Sequence, residues 1–95
     1  MIIRVVQMNF RAEEIETFQA LFAERKERIQ SFEGCLHLEL WQDVNRTGIF
    51  FTYSHWESEQ HLNHYRFSEF FKETWKATKV LFAEKAQAWS VERKG

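Results

Sequence analysis

The feature that most limits what this chain can fold into is the order in which its hydrophobic period changes. Over residues 2 to 10, Ile3, Val5, Gln7 and Asn9 alternate with Ile2, Arg4, Val6, Met8 and Phe10, the period of two that belongs to a strand. From Ala12 the period lengthens. Ile15, Phe18, Phe22, Arg25 and Ile29 recur at steps of three and four, with Glu13, Glu14, Glu16, Glu24, Lys26 and Glu27 opposite them. This predicts a long amphipathic helix, acidic at its start, where the macrodipole favours negative charge. Phe32-Glu33-Gly34 ends it, because glycine takes the left-handed conformation that closes helices.

The period then returns to two. Leu36, Leu38 and Leu40 alternate with Cys35, His37, Glu39 and Trp41, predicting a strand over 35–42 with its leucines on the core face. Asp43 to Gly48 carries the Asx and Gly residues of a hairpin connection, and Ile49 to Trp56 is again β-branched and aromatic, so these strands pair antiparallel. Ser58 is placed to cap a short helix reaching His64, and a second helical piece follows near Ser68, with Phe67, Phe71, Trp75, Thr78 and Phe82 along one stripe. Glu84 to Glu92 reads as a closing strand and Arg93-Lys94-Gly95 as a tail. The order β-α-β-β-α-β is that of the α+β ferredoxin-like fold, one domain over residues 1–95 with an antiparallel sheet and helices on one face.

Size and composition narrow the partners. A 95-residue domain leaves much apolar surface uncovered, and this one carries ten Phe, four Trp and two Tyr, so some rings are expected to line a pocket or an interface with a second copy of the chain. A formal charge of -1 offers no field for nucleic acid or an anionic membrane surface. Cys35 is the single cysteine, which removes an internal disulfide and any CxxC site and fits a reducing compartment. The apolar start is broken at Arg4, and no run approaches the roughly 18 to 20 apolar residues of a membrane span, so a cytoplasmic location is expected.

Local features in this order resemble the antibiotic biosynthesis monooxygenase family of the dimeric α+β-barrel superfamily: Glu33-Gly34-Cys35, Trp56-Glu57-Ser58, and His61-Leu62-Asn63-His64 followed by Ser68 and Phe71. The connection Phe10-Arg11-Ala12-Glu13 departs from the family pattern, being short and lacking a Pro-Gly step. The resemblance implies a homodimer in which two sheets pack face to face, and a pocket between the sheet and the second helical region. It also implies oxidation of a small aromatic or quinol-type substrate by molecular oxygen with no cofactor, neither metal nor flavin. The alternatives are a non-catalytic small-molecule-binding or stress-related dimer, and a haem-binding or haem-degrading protein. For haem, Thr74 falls where that branch carries an axial histidine.

Each candidate residue has a functional and a plain structural reading. His64 holds the family's histidine position, where it is expected to accept a phenolic proton, or else to hydrogen-bond across the helix break. His61 and His64, three apart, invite a metal but lack a dependable third ligand. Tyr53 would orient a substrate oxygen, and Trp75 and Phe71 would stack on an aromatic ring, or all three pack in the core. Asn9 and Arg4 point to opposite faces of the first strand, so only one of them reaches a given pocket. His37, His55, Trp41 and Trp89 are expected at a sheet-to-sheet interface.

Overall fold

The computed structural model describes all 95 residues. β1 (Ile2–Phe10) leads through a 3-10 turn (Ala12–Glu14) into α1 (Ile15–Gln30), followed by β2 (Cys35–Gln42), β3 (Ile49–Trp56), α2 (Glu59–Arg66), α3 (Glu69–Lys79) and β4 (Phe82–Val91). The strands form one sheet in the order β2-β3-β1-β4, every neighbour antiparallel. The helices cover one face, called here the inner face, where Met8, Phe10, Phe18, Phe50 and Leu81 form the main core cluster. A smaller cluster of Ile29, Leu38 and Phe70 lies nearby. Phe10 and Phe18 stack at a centroid distance of 4.0 Å, with Phe50 edge-on to both. No helix is long and apolar enough to cross a membrane.

Three local expectations are corrected. Leu36 does not join Leu38 and Leu40 on the core face. Cys35 pairs with Trp56 and His37 with His55, so Leu36 is the extra residue of a bulge and is 56% exposed. The α3 stripe is also shorter than its apolar residues suggest. Phe67 follows α2 and is 67% exposed, cut off from α3 by the Ser68 cap, whose hydroxyl accepts from the Phe71 N–H. Phe82 opens β4 opposite Phe10, two residues ahead of the expected start.

Gly34 explains how α2 is seated. Its φ of +87° is disfavoured for other residues, and an added Cβ would lie 2.3 Å from the His61 Cγ. Its carbonyl accepts from the Glu57 N–H at 2.8 Å, joining the end of α1 to the start of α2. Ser58 caps α2 by accepting from the His61 N–H, and the same hydroxyl lies 2.7 Å from His61 Nδ1. His61 therefore serves the packing of this junction.

Candidate functional site

Alternation on the strands and helical spacing bring one set of side chains around a cavity of about 270 Å³ between the inner face and the helices. The sheet contributes Arg4, Val6 and Met8 from β1, Leu38 from β2, Thr52, Ser54 and Trp56 from β3, and Ala88 from β4. Phe18, Phe22 and Ile29 of α1 close one side, and Leu62, Tyr65 and Arg66 of α2 another. Phe71, Thr74, Trp75 and Thr78 of α3 complete the wall. Small Thr and Ser side chains between large rings on a core-facing strand leave the space that the helices bridge.

The rings are held in order. Phe71 and Trp75 lie 5.9 Å apart and 9° from parallel, Trp56 stacks on Tyr65 at 5.0 Å, and Tyr65 meets Phe71 edge-on. Polar groups of the wall are anchored too: Trp56 Nε1 donates to Ser54 Oγ (3.0 Å), Arg25 Nη1 to Thr74 Oγ1 (2.8 Å) and Thr78 Oγ1 to the Thr74 carbonyl (2.7 Å). Arg4 Nη1 donates to Ser90 Oγ at 3.0 Å. Burial, with Cys35 nearby, pushes the Tyr65 phenol far above its ordinary value. It is therefore a neutral hydroxyl at physiological pH and no base. Burial likewise pushes the Cys35 thiol up, away from the reactive thiolate.

Of the residues singled out from the sequence, Phe71, Trp75 and Arg4 meet at this cavity; His64, Tyr53 and Asn9 are elsewhere. His64 is exposed on α2, its ring 6.4 Å from that of Phe32. Tyr53 lies on the outer face, the one without helices, stacked on Trp41 at 4.5 Å with its hydroxyl 2.7 Å from His55 Nε2. Asn9 is also on the outer face, beside a polar hollow of about 130 Å³ with Gln7, Arg46, Glu84 and Gln87. His37 pairs with Glu39, which also accepts from Trp41 Nε1 at 2.6 Å. Tyr65 and Arg66 went unnoticed in the sequence, although each falls three or four residues after Leu62 and so shares its helix face. No three His, Cys, Asp or Glu side chains converge as a metal site would require.

These features define an α+β ferredoxin-like domain with an aromatic-lined chamber under its helices. The chain matches the antibiotic biosynthesis monooxygenase family over residues 1–77 and belongs to that family. Its fold is that of several solved structures. One, an antibiotic biosynthesis monooxygenase, superposes with a TM-score of 0.92 at 18% identity, covering 100% of both chains. A conserved protein from Methanosarcina mazei Go1 gives 0.91 at 22% identity, covering 99% of this chain and 94% of its own. A Mycobacterium tuberculosis protein gives 0.90 at 13% identity, covering 99% and 95%. Among curated proteins none matches by sequence.

Proposed function

We propose that this monooxygenase-family protein oxidises a small aromatic or quinol-type molecule with molecular oxygen in the cavity under the helices, without metal or flavin, and that it acts as a homodimer. The observation that carries the reading is the lining: stacked Phe71 and Trp75 and stacked Trp56 and Tyr65 frame an apolar space in which a flat ring finds parallel partners. Such a substrate supplies its own electrons. One oxygen atom enters at a ring carbon and the other leaves as water, while a quinol becomes a hydroxyquinone. The protein's part is to bind the ring, favour its ionised form and keep bulk water away from the intermediate. The proton leaves to solvent, and exposed His64 accepts it only outside the cavity wall.

The outer face supports the homodimer. Trp41, Trp89 and Val91 are each 42% exposed there, an aromatic and apolar row that a second sheet would cover. A monomer mass by light scattering at micromolar protein overturns this part.

Binding without turnover is the second reading, favoured because the cavity wall carries no imidazole or carboxylate. The same lining leaves a haem iron without a nitrogen ligand there. Oxygen uptake with anthrones, dihydroxynaphthalenes and small quinols, in the presence of a chelator, separates the readings. Uptake that depends on the protein, survives chelation and falls in Trp75→Ala supports oxidation; saturable binding with no uptake supports the second.

A further inference from the structure

The cavity wall carries charge at one place only. Arg4, from the middle of the sheet, and Arg66, the last residue of α2, both line it, and neither forms a salt bridge within the chain. Arg11 pairs with Glu13 and Glu14 and Arg25 with Glu24, whereas Arg4 and Arg66 share a cavity wall that holds no carboxylate. Arg66 at the end of α2 complements the negative end of that helix, which accounts for a cation on α2 but not for its placement near a second one. Arg4 is partly desolvated, and its charged form is further disfavoured by Arg66. The chain contains more acidic than basic residues, yet places none against this pair.

We propose that Arg4 and Arg66 form an anion anchor at the edge of the cavity, so that the molecule it takes is an aromatic acid: a ring between Trp56, Tyr65, Phe71 and Trp75, carrying a carboxylate on the two guanidinium groups. Guanidinium presents parallel N–H donors that match a carboxylate two to two, and Ser90 Oγ holds one of those of Arg4 in place. The anion offsets the repulsion between the two cations. A cavity of about 270 Å³ limits the ring system to one or two fused rings. The inference rests on the proposed function in taking this cavity as the binding site.

The test is calorimetric titration of the whole protein with a redox-stable matched pair, 1-hydroxy-2-naphthoate and its neutral 1-hydroxy-2-naphthamide. The acid is expected to bind about tenfold more tightly, the scale of a charge-assisted contact at a partly exposed site. That preference, read as the ratio of acid to amide affinity in each protein, should shrink with added salt and disappear in Arg4→Gln and in Arg66→Gln. Equal binding of acid and amide to the unaltered protein overturns the anchor and leaves the cavity reading intact, with no variant required. Binding of neither compound overturns both. A preference that persists in the two folded variants places the anion elsewhere and overturns the anchor alone.

Discussion

Thr52 and Ser54 face the helices, whereas Tyr53 and His55, their neighbours on the same strand, face away. The inner row meets apolar rings and fixed hydroxyls around a cavity. The outer row belongs to a polar aromatic network in which Trp41 stacks on Tyr53, Tyr53 touches His55 and Glu39 joins His37 to Trp41. Both rows contain residues usually associated with catalysis. Their separation by a single step along the strand teaches that residue type alone does not locate a site in a one-layer sheet. Under the proposed reading the inner face binds the small molecule and the outer face binds the second copy.

The sharpest way to break this contrast is to truncate adjacent phenylalanines of β3. Phe50 is 1% exposed on the inner face, and Phe51, its neighbour, is half-buried on the outer. Phe50→Ala should destabilise by about 4 kcal/mol in urea unfolding, from lost transfer energy plus the void left behind. Phe51→Ala should cost about 1 kcal/mol in dilute protein and more as the concentration rises and the outer face is covered. A cost for Phe51→Ala that ignores concentration breaks the assignment of that face to assembly.

A somewhat smaller loss is expected at the junction that holds α2 over the cavity. Gly34→Ala adds a methyl group at positive φ against the His61 ring, for an expected cost of about 3 kcal/mol. Combining it with His61→Ala takes the ring out of the clash but leaves the His61 Cβ, 2.4 Å from the added carbon, and should recover about a third of that loss, a coupling that a double-mutant cycle reads directly. Full additivity of the two changes would mean that backbone strain and the contact with the His61 Cβ, not the ring, are what matter at this point.

How much of this was legible follows from where each signal resides. Strand alternation and helix spacing carry the element order, the inner row of β1 and the pairing of Phe71 with Trp75, because these depend on local geometry alone. The bulge at Leu36 depends on pairing with β3, and no turn residue marks it in the sequence. The limits of the α3 stripe depend on Ser68 competing with Phe67 for the helix start, which apolar spacing cannot reveal. On α2, the family resemblance draws attention to His64, whereas the face set by Leu62 continues through Tyr65 and Arg66. Reading that helix by its buried leucine would have reached the cavity wall.

Tryptophans on the two faces sharpen the comparison in a different quantity. Trp75→Ala should weaken binding of an aromatic probe about tenfold, because one stacking face is lost from the cavity. Trp89→Ala, on the outer face, should leave probe affinity within about twofold while weakening self-association. If Trp89→Ala weakens the probe as much as Trp75→Ala does, the small molecule lies between sheets and the division of labour is wrong.

The smallest effect concerns protons. Burial, then the neighbouring His37 and Arg93, holds the His55 imidazole below its ordinary value of 6.5, against the opposite pull of Glu39. The folded state thus favours neutral His55, and the unfolded chain takes up the proton more readily. The linked stability is present above the ordinary value and is lost as pH falls through it. His55 is only half-buried in the single chain, so this linkage is slight there. Covering the outer face with a second sheet deepens the desolvation, and the dimer dissociation constant should then rise about threefold between roughly pH 7.5 and 5.5. Sedimentation equilibrium across that range, with His55→Gln as the comparison, checks this. A slope that is the same in both proteins removes His55 from the interface, and one that vanishes in the variant places it there.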